Sequence, residues 1–332
     1  MREQSNNMRY TCVARWTLVS LAFAFCLVAC SGKDAATSQA VSAAPVEEVK
    51  APRPETTGGF DGQRAYQHVV DLVAIGPHSA GTDGDRRAQD YIIAQLKSFG
   101  CPVDQEDFHT PTPIGNVAMK NIVAKIPGSS PDILMFTTHY DSKLLPNFVG
   151  ADDGGSSTGV MLEFAHLVCA RKNAMTVWVV FFDGEEAFGS WSDSDSVYGS
   201  RELAARMALS GDLPRVKAMV LADLVGSHDL RLKRETNSTG WLTDLVWSTA
   251  AKLGYGSVFV SDQNPIDDDH GPFLKRQVPA VDIVRCCDNE IPYWHTAQDT
   301  LDKVSPQSLA IVGHVLIATL PELEQKFHPG QR

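Results

Sequence analysis

Two apolar rhythms alternate along the chain. From Asp61 to Ile75 and from Arg86 to Phe99, apolar residues recur three and four apart (Ala65, Val69, Leu72, Val73; Ala88, Tyr91, Ile92, Leu96), which predicts two amphipathic helices, the second closed by Gly100. Short apolar runs then take over. Asn121 to Ile126, Ile133 to Thr138, Val177 to Phe182, Val216 to Leu221 and Ala280 to Val284 read as strands, with Ser257 to Val260 a further one. The first two are separated only by Pro127, Gly128, Ser129, Ser130 and Pro131, so they are expected to be neighbours joined by a turn. Val160 to Val168, Asp195 to Met207 and Trp241 to Leu253 read as helices, and Ser305 to Glu322 as a closing helix with Pro306 in its first turn. This succession predicts a three-layer α/β domain with a mixed, mostly parallel central sheet and helices on both faces.

The chemistry lies where the strands stop. Val177 to Phe182 is a continuous apolar and aromatic run, expected to be buried on both faces, and it ends in Asp183, Gly184, Glu185 and Glu186. Ligand sites in open α/β sheets form at that end of the strands. If the backbone stays extended, Glu185 and Glu186 point to different sides, so one can hold a metal while the other faces substrate. The strand ending at Thr138 runs into His139 and Asp141, placed for Asp141 to accept one imidazole N–H while the other nitrogen meets a metal. Asp152 and Asp153 precede a Gly- and Ser-rich turn into a helix, and the strand ending at Leu221 runs into Asp223. Taken singly, each has an ordinary alternative: an acidic pair is usually a solvated turn, and Asp153 would serve as a helix cap worth about 1 kcal/mol. Together, His139, Asp153, Glu186, Asp223 and His295 all fall at strand ends or helix starts, and none is a cysteine, which favours a catalytic zinc over a structural one.

The N-terminal part follows another pattern. Arg2, Arg9 and Arg15 precede the apolar run Trp16 to Ala29, too short for a comfortable membrane span but suited to a signal peptide. Leu27-Val28-Ala29-Cys30 resembles a bacterial lipobox, which implies cleavage after residue 29 and lipidation of Cys30. An ordinary secretory signal or an uncleaved anchor is the alternative, and each exports the chain. The expected location is the periplasmic face of the cell envelope, and Ser31 after the cysteine points to the outer membrane. Residues 30–57, rich in Ala, Pro, Ser and Glu, are expected to be a flexible tether before a catalytic domain at 58–328. A net charge of −11 and the lack of a large basic patch argue against a nucleic-acid partner. Outside the leader stand Cys101, Cys169, Cys286 and Cys287, whose pairing the spacing leaves open; Cys286 and Cys287 are adjacent, and Cys169 is expected to pack as a small apolar group on a helix.

At these residues the chain resembles the zinc aminopeptidase superfamily, and more closely its glutaminyl-peptide cyclotransferase branch. The matching segments are THYDSK at 138–143, FVGADDG at 148–154, FFDGEEAF with Trp191 and DSVYGSRELA within 181–204, ADLVGS at 222–227, DDHGPFLKR at 268–276 and WHT at 294–296. The resemblance implies Asp153, Glu186 and His295 as zinc ligands, Glu185 as general acid and base, and Asp223 with Asp268 as the acidic pair supporting proton transfer. It implies Trp191 and Trp294 as aromatics around the substrate. His139 and Asp223, with Asp141 beside them, match the surroundings of a second metal in aminopeptidases, so one Zn2+ is expected and two are admissible. The implied reaction converts the N-terminal glutamine of peptides or proteins to pyroglutamate with release of ammonia. Asp267 stands where animal cyclases usually carry glutamine and residues 228–240 differ from their longer loop, so peptide selection is expected to differ; their disulfide near His139 and Asp153 is missing, which removes a staple but no chemical group. The rivals are a two-zinc aminopeptidase and a non-catalytic peptide-binding lipoprotein; oligomeric state is left open.

Overall fold

Strand alternation sets the layers of this molecule. The computed structural model describes residues 51–285 and 291–329. In chain order the first half holds α1 (Gly62–Ile75), α2 (Asp83–Ser98), β1 (Val103–Thr112), β2 (Gly115–Ile126), β3 (Gly128–His139), α3 (Gly155–Cys169) and β4 (Asn173–Phe182). The second half holds α4 (Tyr198–Ser210), β5 (Val216–Asp223), β6 (Leu232–Glu235), α5 (Gly240–Lys252), β7 (Phe259–Asn264), α6 (Gly271–Leu274), β8 (Ala280–Val284) and α7 (Pro306–Phe327). In β4, Val177, Val179 and Phe181 join the core built with α1, α2, α3, α5 and α7, whereas Trp178, Val180 and Phe182 join the core built with α4 and α6. Period-two alternation in a strand apolar throughout therefore yields three layers.

The main sheet runs β1-β2-β4-β3-β5-β8. β4, β3, β5 and β8 pair in parallel, and β2 and β1 add antiparallel pairs at one side. The sheet is mixed and mostly parallel, as the sequence predicts. One expected pairing is corrected: β2 and β3 are not neighbours, because β4 lies between them. Pro127 and Pro131 have no N–H to open a hairpin ladder, and α3 carries the chain back so that the most apolar strand takes the central place. The charged and polar β1 escaped the apolar reading altogether, as did β6, which pairs in parallel with β7 in a two-stranded sheet.

Cysteine pairing is also corrected. Cys169, at the end of α3, is bonded to Cys101, with Cα atoms 5.4 Å apart across 68 residues of sequence. It staples the turn after α2 to α3, a juxtaposition that no local spacing announces. Cys30, Cys286 and Cys287 lie outside the described residues. The tether expected through residue 57 gives way earlier to ordered chain, a 3-10 turn at Pro54–Thr56 followed by the buried Thr57. Among the described residues, no helix is long and apolar enough to cross a membrane.

Candidate active site

Three parallel strands and one turn deliver side chains to one crevice. β3 ends at His139, β4 runs into Glu185 and Glu186, β5 ends at Asp223, and the turn before α3 supplies Asp153. Gly154, at φ +79, makes that turn; a Cβ there would sit 2.9 Å from His139 Cε1, so the glycine lets the imidazole approach the backbone. Gly154 is also the residue that precedes α3, with no side-chain cap, so Asp153 is not a helix cap and its carboxylate is free for other work.

His295 Nε2 lies 3.3 Å from Asp153 Oδ2 and 3.2 Å from Glu186 Oε1. Both of those oxygens are buried and have no hydrogen-bond partner. Two orphaned carboxylate oxygens and one imidazole nitrogen, converging within 4.8 Å of one another, could hold a metal ion, and carboxylate with imidazole is a donor chemistry that suits zinc. The outer oxygen of Glu186, Oε2, is taken by Lys143 Nζ at 2.8 Å, which leaves Oε1 as the inward donor. His295 is held in left-handed backbone at φ 51, and Trp294 stacks on its ring at 3.8 Å between centroids. A strained non-glycine residue at this point is the kind of local cost that a functional site maintains.

A second convergent group, His139, Asp153 and Asp223, is organised differently. His139 Nε2 is 3.1 Å from Asp223 Oδ1 and 3.4 Å from Asp153 Oδ1, while Nδ1 is 3.2 Å from the Asp141 carbonyl. Both ring nitrogens thus face acceptors. Burial works to lower the imidazole pKa, but Asp223, Asp141 and Asp153 outweigh it and hold it well above the usual histidine value. This set satisfies itself as an ion-paired network: the oxygens that face His139 Nε2, Asp153 Oδ1 and Asp223 Oδ1, are not among the orphaned ones.

Asp141 has a further part beside the expected one. Its carboxylate lies 3.6 Å from His139 Nδ1 and accepts the backbone N–H of Glu185 at 3.0 Å and of Glu186 at 3.4 Å. It therefore aims the two glutamates as well as facing the imidazole. Asp183, expected at the site, is instead fully buried against β2 and accepts from the Lys120 amide at 2.7 Å and Gln89 Nε2 at 3.3 Å.

Glu185 and Asp268 line a cavity of about 460 Å³ together with the Asp153, Glu186 and His295 side chains, Trp191 and Trp294. Burial pushes the Glu185 carboxyl well above the usual glutamate range, against the lowering effect of His139. Burial, reinforced by Asp223, pushes Asp268 up to about 7. Asp153 goes the other way: burial raises it, but the adjacent His139 and His295 imidazoles outweigh burial and hold it below the usual aspartate range. Carboxyls with separated proton affinities in one pocket suit a division between proton carrier and fixed charge. Trp191 stands at the rim, 42% exposed, on a loop fastened by Asp195, whose carboxylate accepts the Phe188, Gly189 and Ser190 amides at 2.8–3.1 Å. Asp195 lies in this loop rather than in the helix predicted to start there, because α4 begins only at Tyr198.

Several supporting residues were not found from sequence. Asp299 accepts the Asp152 amide at 2.9 Å and the Asp153 amide at 3.0 Å across nearly 150 residues. Asp152 in turn accepts from Tyr293 Oη at 2.7 Å and Gly226 N at 2.7 Å. Behind Asp268, His270 Nε2 lies 3.1 Å from Glu235 Oε2. The signal available for these was their position in the same polar segments as the expected ligands.

An α/β sheet with orphaned carboxylates and an imidazole at its C-terminal edge defines a zinc-exopeptidase type of fold. The chain belongs to Peptidase family M28, which it matches over residues 121–320, and within it to the glutaminyl-peptide cyclotransferases, which are enzymes. It is 30% identical over 280 residues to the glutaminyl-peptide cyclotransferase of Drosophila melanogaster, covering 74% of this chain and 77% of the fly protein. The crystal structure of an Acidobacteriales bacterium glutaminyl cyclase superposes with a TM-score of 0.76 at 35% identity, covering 86% of this chain and 99% of that one. A Zn-dependent exopeptidase from Parabacteroides distasonis gives a TM-score of 0.71 at 25% identity, covering 78% and 97%.

Proposed function

We propose that this enzyme cyclises the N-terminal glutamine of peptides or proteins to pyroglutamate, releasing ammonia, with a zinc held by Asp153, Glu186 and His295. The observation that carries the reading is the placement of Glu185: a buried carboxyl lining the same cavity as the orphaned donor set. Family membership supports the same reaction. Bound zinc would supply Lewis-acid polarisation of the glutamine side-chain amide.

The chain's own groups supply the rest. The α-amine nitrogen bonds to the side-chain amide carbon and the bond from that carbon to the amide nitrogen breaks. Glu185 takes the proton from the amine and returns it to the departing ammonia, leaving the enzyme unchanged. Attack is intramolecular, so the pocket need only hold the substrate folded back on itself. Asp141 keeps Glu185 aimed through its amide, and Trp191 and Trp294 narrow the cavity against water, the nucleophile that would give hydrolysis. Glu185→Gln is expected to lower kcat about a hundred- to ten-thousand-fold with little change in KM. An unchanged kcat, followed by ammonia release from a Gln-peptide, contradicts this role.

The second convergent group favours a two-zinc aminopeptidase as the alternative. Metal content separates the two: the cyclase reading expects activity with a single zinc, and the alternative expects release of the first residue with two. We further propose export and anchoring through Cys30, for which Cys30→Ser should shift the protein from the membrane to the soluble fraction. A protein that stays membrane-bound in that variant argues against the lipid anchor.

A further inference from the structure

A second cavity opens beside the first. Its volume is about 420 Å³, and it shares Trp191, Asp267 and Asp268 with the metal-side pocket, so Trp191 borders both compartments. Arg201, Lys275 and Arg276 line its other side. Lys275 Nζ is balanced by Asp193 Oδ1 at 3.1 Å. The arginines are not balanced in this way. Arg201 donates to the Asp193 carbonyl at 2.8 Å and lays its guanidinium 4.7 Å from the Tyr198 ring centroid, and Arg276 donates to the Pro272 carbonyl at 3.1 Å. Among the described residues, both hydrogen-bond to carbonyls and neither pairs with a carboxylate. Arg201 Nε is moreover buried with no hydrogen-bond partner. The segment that carries Arg201 is held firmly, with Val197 in left-handed backbone at φ 44 and Asp195 fastening the turn before it.

Asp193, Asp267 and Asp268 also line this cavity, yet among the described residues neither guanidinium is ion-paired with them, so both can take an anion from outside. The planar donor fork of arginine matches a carboxylate through paired N–H···O bonds. We propose that this cavity is a subsite for an acidic side chain downstream of the N-terminal glutamine, read by Arg201 and Arg276, so that the enzyme selects Gln-peptides bearing Asp or Glu soon after their first residue. The inference rests on the proposed cyclase reaction for its substrate class. Asp267, exposed at the rim common to both cavities, disfavours an acid lodged there and directs it toward the arginines.

The test compares Gln-initiated peptides carrying Glu, Gln or Lys at the second, third or fourth position, assayed on the full chain. At one of those positions the Glu peptide is expected to exceed its Lys counterpart in kcat/KM by about tenfold, the scale of one charge-assisted hydrogen bond, with the difference in KM. Arg276→Glu should reverse the order of the Glu and Lys peptides. Because the readout is a ratio on one preparation, loss of folded protein cancels. Equal rates across the series, or a Glu preference untouched by Arg276→Glu and by Arg201→Gln, overturn the proposal. Calorimetric binding of the same peptides to the Glu185→Gln protein reads the subsite without turnover. If the unaltered enzyme cyclises none of them while the Glu185→Gln protein binds the Glu peptide more tightly, the cyclase reading is refuted and the subsite kept, and equal binding refutes the subsite.

Discussion

Asp141 shows how far a single residue can be read before folding. Its place two after His139 at a strand end marked it as part of a candidate site; the partners of its carboxylate, the amides of Glu185 and Glu186, follow a different strand. The same holds for the donor set. Asp153, Glu186 and His295 drew attention as carboxylate or imidazole donors at strand ends or helix starts. Asp299 and Lys143 did not, because their work exists only after distant segments meet: Asp299 pins the Asp153 backbone, and Lys143 occupies the outer oxygen of Glu186. Removing such support acts on the metal rather than on the reaction directly. Asp299→Ala is expected to weaken zinc affinity about 10- to 100-fold, measured by competition with a chromogenic chelator, while saturating zinc restores most of kcat. Unchanged affinity would show that the Asp153 turn holds its geometry without Asp299.

At the scale of elements, apolar strands and periodic helices announced themselves, and pairing did not. Periodicity reports which face of a strand is buried, not which strand lies beside it, so β2 and β3 were paired by proximity in sequence although β4 separates them. β1, with the pattern Val103-Asp104-Gln105-Glu106-Asp107, carries too little apolar signal to be found except by its partner β2. The Cys101–Cys169 bond is also a product of packing, joining the end of α2 to the end of α3. Closing a loop of this length constrains the unfolded chain, so the Cys101→Ser, Cys169→Ser double variant is expected to lose about 2–4 kcal/mol in denaturant unfolding. It should keep its Gln-peptide kinetics, since neither cysteine lines the site cavity. No loss of stability would mean that helix packing alone holds the two ends together.

On the scale of the whole molecule, acid stability is set partly far from the site. His68, packed in α1, has Nδ1 2.7 Å from the Tyr91 hydroxyl and Nε2 buried with no partner. Burial lowers its pKa from 6.5 to about 4. The folded protein therefore resists a proton that the unfolded chain accepts, so this contribution is fully present above pH 6.5 and is lost as pH falls toward about 4. Replacing His68 with Gln should flatten the difference in unfolding free energy between those limits by up to about 3 kcal/mol. An identical pH slope in the variant would show that the imidazole is accommodated equally well in both charge states.

The central claim is a single catalytic zinc beside a carboxyl that shuttles one proton, and metal-depleted full-length protein tests it most directly. The depleted protein would be titrated with zinc while a Gln-peptide and its Ala-initiated counterpart are followed by mass spectrometry. The account predicts that ammonia loss from the Gln-peptide alone returns with a single zinc bound, and that Glu185→Gln binds the zinc without regaining turnover. Release of the first residue from the Ala-peptide, appearing only with a second zinc, would contradict it.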